Sequence, residues 1–462
     1  MVVCKSIQSY GGDCMKMKQG LSMLALPLLV MTMAACGGGK EAQETQGDGK
    51  GQKAEEAKQP AKPPEPVTLT ITNHKSVGFT EKDFQTYFVE PVKKKYPHIT
   101  LEYIKPGDGS QLEDLILANK TPDLIFASNG YFALLKQLDI MQDLNEYVKK
   151  YKVDLSMYDQ PILERIRQAG DKGELYSIPF SLNYGVMLYN KDIFDKVGIP
   201  YPKDLMSFEE ILPVAKKINR VENGMQYIGF EPQHADTIAG QLGIPAIGSN
   251  DQPNFNSPEY KRVFEFLKQV YEIPGQIGPN GKHNWGRNGF LKDQNVAMFL
   301  EWTNDVAAPL EEAMKAGFTS WDISALPNFQ DKLGNGRTVD SHMTFISKTS
   351  KYKDEAFQVL LESVSRETQM NVSANARISS IPDKAIQNNY AKNFESYKGK
   401  KVQNIFLTKQ TPSQKSSIYG SKASSIVRDE QKNMALGLKD MNTALSDAQE
   451  KALKNVQEEK AK

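Results

Sequence analysis

The stretch "VTLTITN" (Val67–Asn73) alternates with a period of two and is rich in β-branched residues, which predicts a strand. The following segment, "EKDFQTYFVEPVKKKYP", has helical spacing, and "ITLEYIKP" is the next predicted strand. The pattern continues with the predicted helix "SQLEDLILANK", the strand "PDLIFASN" and the helix "YFALLKQLD". This alternation predicts an α/β fold with a mostly parallel sheet and helices on both of its faces.

Polar residues follow two of these predicted strands. Asn73 and His74 end the first strand, and Ser128 and Asn129 follow the apolar run "DLIFA". In open α/β sheets, ligands bind beyond the carboxyl ends of the strands. These four residues are therefore predicted ligand contacts.

Length and composition limit the possible functions. A chain of 462 residues is too long for one ordinary domain, so two or more lobes are expected. The 57 basic residues are balanced by 56 acidic ones, which offers no field for holding nucleic acid. The three cysteines, Cys4, Cys14 and Cys36, precede the predicted body, and the five histidines lack metal-ligand spacing. We expect neither a metal nor a cofactor.

The N-terminal region resembles a secretory leader. Lys16 and Lys18 precede the apolar segment "GLSMLALPLLVMTMAAC", which is too short for a typical membrane span. Its end, Met33 to Cys36, is similar to the lipobox of bacterial lipoproteins. The resemblance implies that residues 1–35 are a signal peptide and that a lipid on Cys36 anchors the chain to the outer face of the cell membrane. The alternative is an ordinary secreted protein.

The segments on either side of this leader are also informative. Residues 1–14 fit a signal peptide poorly, so the expected start is Met15 or Met17. Residues 36–66 are poor in apolar residues and mix both charge signs, which predicts a disordered tether after the lipidated cysteine.

A second motif begins at Gly173, in "GELYSIPFSLNYGVMLYNKDIFDKVGIPYP". It combines a glycine, a proline six residues later, an apolar strand ending in Tyr-Asn-Lys-Asp, and then Phe, Gly and Pro. This pattern closely resembles that of the extracellular solute-binding proteins of ABC importers, especially the carbohydrate-binding group. The matching positions are Gly173, Pro179, Leu188, Tyr189, Asn190, Lys191, Asp192, Phe194, Gly198 and Pro202.

The resemblance extends over about residues 67–462. "GFLKDQNVAMFLEWTND" is similar to the family's Phe-x-x-Gly-x-x-Ala-Met strand and the Gly-x-Trp that follows it. In this chain Gln294 replaces the first glycine, and Glu301 replaces the glycine before Trp302. "ISALPNF" and "HMTFISKTSKYKDEAFQVLLESVSRETQ" resemble the next two family segments in the same order.

The resemblance implies a two-lobe architecture, the type II periplasmic-binding-protein-like fold. In this fold, hinge strands join two α/β lobes and a ligand cleft lies between them. The expected lobe 1 comprises residues 67–180 and 343–370, and lobe 2 comprises 181–342 and 371–462. The expected crossings between the lobes lie near Ile178–Leu182, His342–Ile346 and Thr368–Asn371.

The resemblance also implies a function without catalysis. A monomeric receptor captures a carbohydrate by hinge closure and delivers it to the membrane permease subunits of an ABC importer. A receptor for another polar solute, such as a peptide or a polyol, remains an alternative. A surface glycan-degrading enzyme is a further alternative, since two distant carboxylates could serve a glycosidase.

A sugar site needs aromatic platforms for the C–H faces of the rings. By resemblance, Trp302 is the family's cleft tryptophan, although core packing beneath the hinge is the alternative. Trp285 lies on a glycine-rich loop that is expected to be exposed, and is a second candidate for stacking. Asn183 and Tyr184 lie at the hinge strand, where the family often has an aromatic residue.

A sugar site also needs polar groups around its hydroxyl rim. The candidates are Glu301, Thr303, Asn304 and Asp305, although Thr303 to Asp305 could equally cap the following helix. Asp340 and Ser341 stand where the family has a small-residue pair before a hinge strand. Arg377 could grip a carboxylate or a hydroxyl pair, or could form an inter-lobe salt bridge.

Overall fold

Two β-sheets with flanking helices form the framework of the part of the chain that the computed structural model describes, residues 64–76, 79–412 and 417–461. The predicted signal peptide, Cys36 and nearly all of the predicted tether lie outside the described residues.

Within these described residues the chain forms 13 strands and 17 α-helices. The strands are β1 (Val67–His74), β2 (Ile99–Ile104), β3 (Leu124–Ser128), β4 (Pro179–Leu182), β5 (Gly185–Asn190), β6 (Arg220–Glu222), β7 (Met225–Tyr227), β8 (Met298–Trp302), β9 (Trp321–Ala325), β10 (Asn335–Thr338), β11 (Ser341–Ile346), β12 (Ile378–Ser379) and β13 (Lys409–Thr411). The helices are α1 (Glu81–Phe84), α2 (Glu90–Lys95), α3 (Leu112–Leu117), α4 (Phe132–Gln137), α5 (Asn145–Lys150), α6 (Gln160–Ala169), α7 (Lys191–Val197), α8 (Phe208–Ile218), α9 (Ala235–Gln241), α10 (Pro258–Tyr271), α11 (Gly286–Leu291), α12 (Thr303–Lys315), α13 (Lys353–Ser363), α14 (Arg366–Ala374), α15 (Lys384–Asn388), α16 (Gly420–Ala435) and α17 (Met441–Lys460).

The first sheet has six strands in the order β12-β4-β11-β3-β1-β2. β1 pairs in parallel with both β2 and β3, as the alternation of strands and helices predicts. β11 is antiparallel to β3 and to β4, and β12 is antiparallel to β4. The sheet is therefore mixed, and its parallel part is the part built from the opening βαβ segment.

The second sheet has three strands in the order β8-β5-β9, and both pairings are antiparallel. The expectation of mostly parallel pairing is therefore wrong for this lobe. Met187 at the centre of β5 is opposite Leu300 of β8, and both side chains are fully buried. Each such buried aliphatic side chain contributes about 1.5–3 kcal/mol of transfer free energy, which holds this small sheet against its helices.

The chain passes between the two sheets three times. The first passage is Asn183–Tyr184, between β4 and β5, and the second is Val339–Asp340, between β10 and β11. The third passage follows β12, later than the expected position near Thr368–Asn371.

The structure therefore corrects the expected lobe boundary at residue 371. β12 belongs to the first sheet, where Ile378 is opposite Leu182. The side chain of Gln369 explains this placement because it bonds to both strands. Its Nε2 donates to the Phe180 carbonyl at 2.9 Å, and its Oε1 accepts from the Ser379 hydroxyl at 2.7 Å.

The first two passages meet at Gln410, which lies in β13, a strand that pairs with β10 in the second lobe. Its Nε2 donates to the carbonyl oxygens of Asn183 at 2.9 Å and Asp340 at 3.4 Å. The backbone N–H of Asn183 also donates to the Asp340 carbonyl, at 3.0 Å. One side chain of the second lobe thus connects the first two passages between the lobes.

No helix within residues 64–76, 79–412 and 417–461 is long and apolar enough to cross a lipid bilayer.

Candidate ligand-binding cleft

A cavity of about 580 Å³ opens between the two sheets, at the carboxyl ends of β1 and β3. The first lobe contributes the residues that follow these strands, together with a helix residue and a strand residue: Lys75, Ser76, Ser128, Asn129, Gly130, Tyr131, Arg165 and His342. The second lobe contributes α9, the loop at residues 243–247, the N-terminal part of α16, and the side chains Trp302, Asp305 and Arg337. The volume lies within the range of sites for small molecules.

Trp302 and Arg337 form a stacked pair in this cavity. β8 ends at Trp302, and β10 carries Arg337, whose guanidinium carbon lies 4.1 Å from the centre of the indole ring. Gly185 is opposite Trp302 in β5 and leaves room for the arginine. A Cβ atom on Gly185 would lie only 2.7 Å from Arg337 Nε, so a larger residue would displace the side chain.

Arg337 is buried without a hydrogen-bond partner. Its side chain is 1% exposed, and none of its three side-chain nitrogens is hydrogen-bonded within the described residues. Burial lowers the pKa of Arg337 to about 10, while the charges of Glu301, Asp305 and Asp340 oppose that shift. A buried, donor-only group without acceptors costs free energy, and a ligand with suitable oxygens would remove this cost.

Two carboxylates face the same cavity. Burial raises the pKa of Asp305 and of Asp340 to about 6 in each case. Asp340 accepts a hydrogen bond from Asn183 Nδ2 at 3.2 Å. A hydroxyl group can accept from a guanidinium and donate to a carboxylate at once, so this arrangement suits a ligand rich in hydroxyls.

The remaining charged groups of the cavity are held in place by the protein. Arg428 of α16 donates to both oxygens of Asp236 in α9, at 2.9 and 2.7 Å. Burial lowers the pKa of His342 to about 3, so its imidazole is neutral at physiological pH. Arg428, Asp236 and His342 therefore add no unpaired charge to that of Arg337.

Comparison with known proteins gives the family. Residues 79–370 match the model of the bacterial extracellular solute-binding protein family. The chain belongs to this family. The resemblance noted in the sequence is thereby confirmed, and a location outside the cytoplasm follows from the family.

Two curated relatives agree with this assignment. The chain is 26% identical to a mannitol-binding protein of Pseudomonas aeruginosa over 28% of this chain and 29% of that one. It is 24% identical to an arabinooligosaccharide-binding protein of Bacillus subtilis over 48% of this chain and 55% of that one. The matched regions thus span less than two thirds of either curated relative.

The fold resembles that of an ABC substrate-binding protein from Listeria monocytogenes, solved in complex with cycloalternan. The TM-score is 0.67 at 18% identity, covering 85% of this chain and 99% of that chain. The predicted two-lobe solute-binding fold is confirmed by such structural neighbours.

Six of the site residues predicted from the sequence line the cavity of this family member: Ser128, Asn129, Asn183, Trp302, Asp305 and Asp340. Asn129 has a structural task as well. Its Nδ2 donates to the Val339 carbonyl at 3.0 Å, and its Oδ1 accepts from the Ser341 N–H at 3.1 Å. It therefore ties the end of β3 to the second passage between the lobes.

The expectation that Trp285 is exposed is wrong. Its side chain is 6% exposed, and its Nε1 donates to the Gln276 carbonyl at 3.0 Å. Two glycines allow this burial because they have no side chain where the tryptophan packs. A Cβ atom on Gly278 would lie 2.8 Å from the indole Cζ2, and a Cβ atom on Gly289 would lie 3.1 Å from the Trp285 Cβ. Trp285 is a core residue and is not among the cavity-lining residues.

Glu301 is engaged inside the second lobe rather than at the rim of the cavity. Its Oε2 accepts from Nε and Nη2 of Arg287, at 3.2 and 2.9 Å, and its Oε1 accepts from the Trp302 N–H at 2.9 Å. Glu301 is not among the described residues that line the cavity. The carboxylate acts on the cavity through its charge, which favours the protonated form of Arg337.

Tyr184 and Asn304 lie at the hinge. Tyr184 lines a separate cavity of about 20 Å³ beside Phe406, too small for a sugar. Asn304 Nδ2 donates to the Leu182 carbonyl at 3.3 Å, and its backbone N–H donates to Asn183 Oδ1 at 3.1 Å. Helix α12 has no side-chain cap, so residues 303–305 do not have the capping role considered above.

Ser341, Asn73 and His74 are also absent from the described lining of the cavity. Ser341 is 1% exposed at the start of β11. Asn73 shapes the loop after β1, since its Nδ2 donates to the Ser76 carbonyl at 3.0 Å. His74 is buried with its ring 4.7 Å from that of Tyr131. The next residues, Lys75 and Ser76, line the cavity instead.

Arg377 lies inside the first lobe. Its Nη2 is 3.4 Å from Asp83 Oδ2, at the N-terminal turn of α1. This ion pair is not an inter-lobe bridge, because Asp83 and the neighbouring β12 both belong to the first lobe, and Arg377 is not among the described residues that line the cavity.

Arg337 is the residue that sequence reasoning missed. It stands in "NGRTVD", three residues before Asp340, and no motif marks it. The one feature that could have pointed to it is an arginine on a short segment that leads directly into a predicted hinge strand. Asp305 was recognised only as a rim or capping residue, and Arg165 and Arg428 were not recognised at all.

Proposed function

We propose that this chain is a receptor that captures a carbohydrate between its lobes and delivers it to an ABC importer. The observation that carries the proposal is the Arg337–Trp302 pair beside Asp305 and Asp340. It combines an apolar ring with hydrogen-bond donors and acceptors, the chemistry that a sugar requires. The family and the sugar- or polyol-binding relatives support the same conclusion.

Hinge closure gives the mechanism. The ligand first contacts groups on one lobe, the three passages bend, and the second lobe then covers it. Ligand oxygens accept hydrogen bonds from the guanidinium of Arg337, while Asp305 and Asp340 accept from ligand hydroxyls. The closed form is then recognised by the permease subunits, and the receptor itself catalyses no reaction.

We further propose that a lipid on Cys36 anchors the receptor and that residues 37–66 are its tether. The lipobox-like sequence supports this proposal. Radiolabelled palmitate should be incorporated into the wild-type protein in cells, while Cys36→Ala should abolish labelling. Labelling that persists in the variant would contradict the anchor.

A thermal-shift screen of monosaccharides, oligosaccharides and polyols against the purified protein tests the receptor function. A ligand at about 100 times its dissociation constant adds roughly 2.7 kcal/mol to the free energy of unfolding, an easily measured shift. The bound sugar should be recovered unchanged. A shift by peptides alone, or the release of cleaved sugar, would overturn the proposal.

A polyol receptor is the second candidate. Its support is the mannitol-binding relative, although the match covers only 29% of that protein. In the same screen, a shift by mannitol and not by any cyclic sugar would favour it.

A further inference from the structure

A second cavity of about 690 Å³ adjoins the first between the same two lobes. Arg165 and Ser417 line both cavities, so the two meet at this pair. On the first-lobe side the second cavity is bordered by α4 and α6, through Phe132, Lys136 and Ala169. On the second-lobe side it is bordered by residues 248, 249 and 251 and by Tyr419.

The combined size exceeds what a single sugar unit needs. Each cavity alone lies within the range of about 300–1,000 Å³ for a small-molecule site, and the two together lie beyond it. The two cavities share two lining residues and form one continuous cleft, which suits a chain of linked units better than a single compact solute.

The charged residues of the second cavity are paired with one another or with neighbouring residues. Lys136 lies 2.7 Å from Asp171, and Asp251 lies 2.8 Å from Lys460. Asp251 also accepts from the Ser417 hydroxyl at 3.3 Å. Because each of these charges has an opposite partner, they attract a charged ligand group less strongly, and they leave a polar rim suited to hydroxyls.

The second cavity also has apolar surface for a sugar face. Tyr419 is half-buried and directly precedes α16, and its neighbour Ile418 is 49% exposed. Tyrosine combines an apolar ring with a polar tip, and therefore suits surfaces that contact hydroxyl-bearing rings. Arg165 is 4% exposed at the junction, where a ligand passing between the cavities would contact it.

We propose that the ligand is an uncharged oligosaccharide longer than a disaccharide, with one end at Arg337 and Trp302 and the other beside Tyr419. This assignment rests on the proposed carbohydrate function. The second cavity acts as an additional subsite that selects ligands by chain length.

Two serines provide a matched pair of blocking variants. Ser421 lines the first cavity and Ser249 the second, and both side chains are exposed. Ser249→Trp should obstruct the second cavity and leave the first cavity open. Ser421→Trp should obstruct the first cavity. Tyr419→Ala removes the predicted platform, and each variant is used only if its melting temperature stays near that of the wild type.

Isothermal titration with the arabinose and mannose series, from mono- to tetrasaccharide, tests the assignment. For the series that binds, the trisaccharide should bind the wild type at least about tenfold more tightly than the disaccharide. Ser249→Trp and Tyr419→Ala should remove that gain and leave disaccharide affinity within about twofold. Ser421→Trp should weaken binding at every length.

The outcomes separate the two proposals. Equal affinity for di- and trisaccharide, or no effect of Ser249→Trp on the trisaccharide, would overturn the second subsite and leave the receptor function standing. If no member of either series nor any sugar of the thermal-shift panel binds, the carbohydrate function is overturned, and the subsite with it.

Discussion

The surroundings of Arg337 and Arg377 differ in one decisive respect. Both side chains are buried, at 1% and 4% exposure. Arg377 pairs with Asp83 inside the first lobe, whereas the nitrogens of Arg337 lack hydrogen bonds within residues 64–76, 79–412 and 417–461. A buried arginine with a protein partner stabilises the fold, while one with unsatisfied donors at a cavity wall is suited to a ligand.

The largest effect is expected from Arg337→Met. Losing hydrogen bonds from a charged donor should weaken ligand binding by about 1.5–3 kcal/mol, roughly 10- to 150-fold. The melting temperature without ligand should not fall, because an unsatisfied buried charge is removed. Isothermal titration with the sugar that gives the largest thermal shift measures the first effect.

Arg377→Met is the matched control for this substitution. It should lower the melting temperature, because Asp83 loses its cationic partner, and should leave affinity within about twofold. The comparison fails if Arg377→Met weakens binding more than Arg337→Met does.

Trp302→Ala should have the next largest effect on binding. The substitution removes the ring against which the guanidinium of Arg337 is stacked, and about a tenfold loss of affinity is expected. Trp285→Ala should instead destabilise the protein by about 3–5 kcal/mol, since a buried indole is lost from the core. Equal affinity losses in two well-folded variants would contradict the difference between these tryptophans.

Gly185→Ala should act through the position of Arg337. Its new Cβ would lie 2.7 Å from Nε and 2.9 Å from Cδ of the arginine, so the side chain must shift. We expect affinity to fall about threefold to tenfold. Gly107→Ala is the control, because the closest atom to its Cβ would be at 3.5 Å. A crystal structure of Gly185→Ala with Arg337 unmoved would refute this explanation.

The effect of pH is expected on stability rather than on ligand affinity. Burial raises the pKa of Asp305 to about 6, so its protonated form is favoured by folding. Its contribution to stability is therefore present below about pH 4 and is lost as the pH rises to about 6. Relative to wild type, Asp305→Asn should gain stability over this interval by less than about 1 kcal/mol per pH unit. Urea denaturation at several pH values measures the difference, and a gain appearing as pH falls would have the wrong sign.

Local sequence patterns predicted the elements whose structure depends on near neighbours. The period-two alternation of Val67–Asn73 and the helical spacing that follows it specify β1 and its parallel pairing with β2 and β3. Family resemblance added the two-lobe fold and the place of Trp302 at the end of β8.

The position of Arg337 could not be predicted in this way. It depends on pairing between β10 and the distant β13 and on the missing side chain at Gly185. The burial of Trp285 could not be predicted from the sequence either. Its glycine-rich surroundings suggested an exposed loop, but Gly278 and Gly289 serve close packing around the ring.

The amide of Gln410 has a consequence for how far each part of the cleft moves. Since it joins the first two passages at one point, a rotation of the lobes about that point would displace a residue in proportion to its distance from it. Asn183 and Asp340, which it binds, line the first cavity and are not among the described lining residues of the second. The residues that Gln410 binds thus belong to the first cavity alone. With a pivot at this point, we expect the groups near Asp340 to change their spacing less than the gap beside Tyr419 when the angle between the lobes changes.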